Sequence, residues 1–275
     1  MDEQLRRMEE IATALADATH SLGLAVLRAG RARFAGRIEH AQRIRGEAIA
    51  AAPDPVSAAV AFGAQGWMPA WDAGRYEELI ASIEAVVAQA PQALPLHGLL
   101  ALIHCEAGRP AAARERFELL AADGFPFAGD EFLLIGLTQT ALACSYLGDG
   151  DRAATLHRIL APYAALNAAI GEQSLTNGPV GLSLGALEVT LGRHGEALRS
   201  LTRAEGQARA WGDPLSTALA MAHRGRLLVL QGHRGEGERL TVEAREAGRS
   251  LGVGRVEVLV AGLRDWWSGR ARPPG

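Results

Sequence analysis

"LGRHGEALRS", residues 191–200, has close copies along the whole chain. Upstream stand "LGDGDRAATL" (147–156), "AGRPAAARER" (107–116), "AGRYEELIAS" (73–82) and "AGRARFAGRI" (29–38); downstream is "QGHRGEGERL" (231–240). Anchored on Gly30, Gly74, Gly108, Gly148, Gly192 and Gly232, the copies are 44, 34, 40, 44 and 40 positions apart. Periods in this range signify helical repeats. Five positions past each glycine stand Ala35, Leu79, Ala113, Ala153, Ala197 and Gly237. Seven before stand Gly23, Trp67, Ala101, Ala141, Gly185 and Gly225. Five of six are small in each set. Between the glycines the chain is rich in the helix formers Ala, Leu, Arg and Glu. Each glycine then ends one helix, where positive φ is needed, and opens the turn to a second, antiparallel one. Small residues on the facing turns let the two axes approach closely.

These offsets resemble the tetratricopeptide repeat, which carries one small residue in its first helix and another early in its second at these distances from the turn. The interval from Gly74 to Gly108 matches that family's period, and Pro91 falls where the family often places a terminal proline. The resemblance covers about residues 15–250. A narrower one lies in "ALIHCEAGRPAAARERFELLAADGF" and "ALACSYLGDGDRAATLHRILAPYAALNAAIG". They are similar to the helical-repeat arm of large ATP-dependent LuxR-type regulators and cyclase-linked ATPases. That likeness implies a stand-alone relative of the arm or a piece of a larger protein.

The expected architecture is all-α: a tetratricopeptide-like solenoid of six helical pairs and a capping helix. The pairs fall at about 3–51, 55–90, 94–121, 131–169, 179–211 and 214–249, with the last helix at about 254–268. One repeat domain spans 1–269, and 270–275 is read as a disordered tail. Asp130 is a candidate N-cap. Pro179 suits a first helical turn. Pro69 inside a helix predicts a kink beside Trp67.

Composition removes several chemistries. All 28 basic residues are arginine. A P-loop lysine, a Schiff-base lysine and a lysine general base are therefore excluded. With a net charge of −3 the chain has no overall pull toward nucleic acid or anionic membrane. No apolar run reaches spanning length, the N-terminus does not read as a signal peptide, and two cysteines make no disulfide framework. A cytoplasmic protein is the simplest reading, with no nucleic-acid or membrane partner; a homodimer is compatible with it.

Candidate chemistry is thin. His104, Cys105 and Glu106 are adjacent, but helix neighbours one or two apart diverge. His97 and His104 share a face, yet two ligands make no zinc site. Asp130 and Glu131 read as helix-start residues. Arg31, Arg33, Arg37, Arg43 and Arg45 read as a solvated outer face. No catalytic residue, metal or cofactor is expected.

The tetratricopeptide resemblance implies that first helices line a concave wall. The inward offsets select Met68, Trp71, Leu102, Cys105, Glu106, Thr138, Leu142, Ser145, Tyr146 and Arg226 as partner- or ligand-binding candidates. This wall is mostly apolar with a few polar groups. Two functions fit it: an interaction scaffold holding a partner helix, or a small-molecule sensor or recruited enzyme, for example in specialised metabolism. An open groove exposing Trp71 and Met68 favours the first; a sealed pocket favours the second. The wall can also be plain core, buried by tight curvature or filled by a terminal helix.

Overall fold

The computed structural model describes residue 7 and residues 18–52, 54–127, 132–170 and 175–266. Asp130, Glu131 and the tail at 270–275 lie outside the described residues. Among those described, the chain forms fourteen α-helices, two short 3-10 stretches and one β-hairpin.

The pairs begin with α1 (Ala18–Phe34) and α2 (Ile38–Ala51). The second is composite: α3 (Pro55–Phe62), a 3-10 stretch at Gly63–Trp67, α4 (Met68–Asp72) and α5 (Tyr76–Gln89). Then come α6 (Leu94–Glu106) with α7 (Pro110–Ala121), and α8 (Leu133–Leu147) with α9 (Gly150–Leu160). After the hairpin follow α10 (Val180–Thr190) with α11 (His194–Trp211), and α12 (Pro214–Leu230) with α13 (Arg234–Ser250). The last helix is α14 (Arg255–Trp266).

The turn chemistry explains the recurring motif. Gly192 has φ 72°, and the next N–H, of Arg193, reaches back to Glu188 O at 2.8 Å. That is the hydrogen bond of a Schellman turn, and it satisfies a carbonyl the helix would otherwise orphan. The same bond closes α4, α6, α8 and α12, through Arg75, Arg109, Asp149 and His233.

The first copy departs from the expected anchor. Helix α1 runs through Gly30 to Phe34, and the turn falls at Gly36, φ 74°. Burial of Ala29, Ala32 and Phe34 holds the helix together past Gly30. Counted from Gly36, the small residues before and after the turn are Ala29 and Ala41, both buried. At the last pair the axes nearly touch: a Cβ added to Gly225 would lie 2.8 Å from the backbone oxygen of Gly237. Pro69 does not kink a helix. It stands in the first turn of α4, after a break at Gly63–Trp67.

The helices differ in how far they are buried. From His97 to Glu106, Ile135 to Tyr146 and Val180 to Val189 every residue of α6, α8 and α10 is buried. A helix apolar on all sides must be covered on all sides. The second helices bury one stripe each, such as Ala197, Leu201, Ala204 and Ala208 of α11.

Two further features shape the fold. "IGEQSLTNGP" is not wholly a loop: Asn167–Ile170 (β1) pairs antiparallel with Leu175–Pro179 (β2), with a bulge at Ala168/Ala169. Pro179 therefore ends a strand and caps α10 instead of entering its first turn. The array also closes on itself. A Cβ on Gly36 would run into Pro214, at the start of α12, and Leu251. Ile38 of the first pair buries with Leu215, Val253 and Val256. Helix α14 does more than cap the end of the array: it packs on α12 and α13 and also on α6 and α8.

Candidate functional site

Closure brings several first helices, the hairpin and α14 to a common centre. A small cleft opens there, with about 40 Å³ of free space. Its walls come from α1 (Arg33, Phe34), α4 (Met68, Trp71), α6 (Leu99) and α8 (Ile135, Gln139). The rest is Leu175–Asn177 of β2, Asp213 with Leu215, Ser216 and Leu219 of α12, and Arg255 of α14.

Two buried ion pairs frame it. The Arg33 fork meets Asp72 at 2.6 and 3.2 Å. Arg255 donates to Glu106 Oε1 from Nε at 3.2 Å and lies 3.1 Å from it through its terminal nitrogen. Glu106 also accepts from Trp71 Nε1 at 2.7 Å, and the Arg255 guanidinium lies 3.8 Å from the Trp71 ring centroid. Arg255 is thus at once a salt-bridge partner and a cation over an aromatic face. Burial alone would lower its pKa, but the charge of Glu106, with Tyr76 and Asp72 behind it, raises it further. Tyr76, pushed up by burial and by Glu106, stays neutral.

Asp213 caps α12, accepting from Ser216 N at 2.9 Å. Burial raises its pKa, and the Ser216 hydrogen bonds and the charge of Arg33 oppose the rise. Asn177 reaches in from the hairpin and donates to Thr138 Oγ1 at 3.0 Å. Gly178 presses on α12: a Cβ there would lie 2.5 Å from Ser216 Oγ.

The predicted concave residues divide. Met68 and Trp71 line the cleft, but they are 5% and 4% exposed rather than displayed in an open groove. Glu106 stands behind Trp71 as the anchor of Arg255, and Thr138 holds Asn177. Leu102 and Leu142 belong to the core. Cys105 faces Ala143 O at 3.9 Å, its thiol pushed up by burial and so inert. Ser145 donates to Ala186 O at 2.8 Å and ties α8 to α10. Tyr146 stacks on His223, ring centroids 6.1 Å apart. Arg226 lies apart, on a second hollow between α12 and α13 with Arg234 and Arg245. The common reason is the closure of the array: the wall that would have faced solvent is covered by α14 and by the far helices.

Arg33 was assigned to a solvated outer face; instead its side chain is 12% exposed and paired with Asp72. Arg37 and Arg43 are exposed as expected. His97 and His104 are buried, and burial lowers the pKa of His104. Among the described residues no group of three or more His, Cys, Asp or Glu could hold a metal ion. No helix there is long and apolar enough to cross a membrane.

Sequence reasoning missed Arg33, Gln139, Asp213 and Arg255 as cleft residues. The Asp-Pro of "GDPLS" was legible as a helix start; its position at the centre was not.

No protein-family model matches the chain, and no curated protein matches it. The site's chemistry therefore has to be read from its own residues.

His223 gives a measurable signature of this interior. Burial holds its pKa down at about 3, against 6.5 for a free imidazole. Between those values the unfolded chain binds the proton and the folded chain does not. The contribution is thus complete above about pH 6.5 and is lost as pH falls toward 3, at about 1.4 kcal/mol per pH unit. Urea unfolding at pH 7, 5.5 and 4.5 should show this slope, and His223→Phe, which keeps a ring beside Tyr146, should flatten it. Parallel pH profiles would contradict the assignment.

Proposed function

We propose that this chain is a tetratricopeptide-like array whose two ends have met, and that its job is to bind a small organic molecule in the central cleft. The repeated Schellman turns and the small residues flanking them support kinship with that repeat family. The observation that carries the functional reading is the sealing of the concave wall. Trp71 and Met68 are almost wholly buried, and α14 lies where a partner helix would have to lie. A partner helix could enter only by displacing α14 and breaking the Arg255–Glu106 pair, whereas a small molecule needs only the cleft. An apolar lining with a few convergent polar groups suits a small organic ligand. The likeness to regulator arms makes a sensor the natural role, with occupancy of the cleft altering how α14 and the hairpin sit.

The test is native mass spectrometry of the intact protein, followed by a thermal-shift screen of a metabolite library. The expected result is a bound compound, or library members that raise the melting temperature of the wild type and not of Leu219→Trp, which fills the cleft. A bare protein unmoved by the whole library, yet captured by an amphipathic peptide helix, would overturn the reading in favour of a scaffold.

A further inference from the structure

The polar groups of the cleft specify more than size. Gln139 on α8 is 4% exposed and lines the cleft, and its side-chain amide has no hydrogen-bond partner among the described residues. Its polar atoms are not sealed off from the cleft. A group so placed is available to a ligand.

The charges are unequal. Each buried guanidinium already has a carboxylate: Asp72 for Arg33, Glu106 for Arg255. The third carboxylate, Asp213, is 4% exposed and has no cation within ion-pair distance among the described residues. Burial raises its pKa, and its hydrogen bond to Ser216 N, its place at the start of α12 and the charge of Arg33 oppose that rise. When Asp213 is ionised, the unbalanced charge of the site is negative. The same cleft is lined by Trp71, Met68 and Leu215, which offer apolar surface, and by the two paired arginines.

We infer that the cleft takes a small organic amine, a monocation with a compact apolar body, its ammonium toward Asp213 and a polar substituent toward Gln139. This rests on the ligand-binding reading above and sharpens it. An organic anion of the same shape would meet Asp213 with like charge and would find both arginines already paired. A cation supplies the missing charge and the donors that a carboxylate accepts. The apolar body would remove water from Trp71 and Leu215 at about 25 cal/mol per Å².

Three probes sharing one body separate the alternatives: tryptamine, indole-3-acetamide and indole-3-acetate, titrated by calorimetry into the full chain. Tryptamine should bind at least about tenfold more tightly than the acetate. Asp213→Asn keeps an oxygen to cap α12 and removes only the charge. It should weaken tryptamine by about tenfold or more and leave the acetamide nearly unchanged. Gln139→Met should weaken tryptamine and the acetamide together. Circular dichroism of both variants shows whether they remain folded. Acetate binding as tight as tryptamine, or tryptamine indifferent to Asp213→Asn, would overturn the amine assignment. If the acetate or acetamide binds and responds to Gln139→Met while tryptamine does not, the assignment falls and the cleft remains a ligand site. If none of the three binds, the assignment falls as well, and the library screen alone then decides whether the cleft binds anything.

Discussion

Arg255→Met should remove about 3–5 kcal/mol of folding stability, the loss characteristic of a buried pair deprived of one partner. The pair joins positions 149 apart and is nearly inaccessible on both sides, with side-chain exposures of 7% and 2%. Methionine fills much of the volume but leaves the Glu106 carboxylate buried with only the Trp71 N–H to answer it. The cation over the Trp71 ring is lost at the same time. A domain has about 5–15 kcal/mol in all, so the variant should approach the edge of stability at room temperature. Adding Glu106→Leu should restore much of the loss, because it is the lone buried charge, more than the missing attraction, that destabilises. Urea midpoints of the three proteins measure this. An Arg255→Met midpoint equal to wild type would mean that α14 is not seated on Glu106.

Leu142→Glu should have an effect of at least similar size, for a different reason. Leu142 is 5% exposed and belongs to the main apolar cluster on α8, a helix buried throughout from Ile135 to Tyr146. An ionised carboxylate placed among these apolar side chains is costly, beyond the usual range of single substitutions. The variant should be largely unfolded at neutral pH by near-ultraviolet circular dichroism, whereas Leu142→Met should lose less than about 1.5 kcal/mol. Leu142 was first read as part of a solvent-facing wall, which would have tolerated the charge. A stable, well-packed Leu142→Glu would restore that open groove.

The contrast shows what a repeat sequence discloses. Glycine spacing and the small residues beside it were enough to read a mostly helical chain with turns at Gly74, Gly108, Gly148, Gly192 and Gly232, because each turn is made by residues close in the chain. The first anchor slipped from Gly36 to Gly30 because the motif there holds two glycines, and only the burial of Ala32 and Phe34 tells which one ends the helix. The β-hairpin escaped notice because "NAAI" has no strand signature of its own. Its second strand is fixed by contacts with α1, α8 and α12, all distant in sequence. Closure was invisible for the same reason. Repeat arithmetic predicts contacts between neighbours, and the contacts that build the cleft, Gly36 on Pro214 and Glu106 on Arg255, have no period. Met68 and Trp71 do line the cleft. Arg33, Gln139, Asp213 and Arg255 acquire meaning only after the ends meet.

The central claim is that the chain fills its own groove with α14 and leaves a closed cleft at the centre. Hydrogen–deuterium exchange of the α14 amides tests it most directly. Packing of Arg255, Val256, Leu259 and Val260 into the interior predicts protection of α14 within about tenfold of that of α8, falling sharply in Arg255→Met. Exchange of α14 within seconds, at the rate of a free peptide, beside a protected α8 would mean that the groove stands open and that a partner helix, not a small molecule, is its occupant.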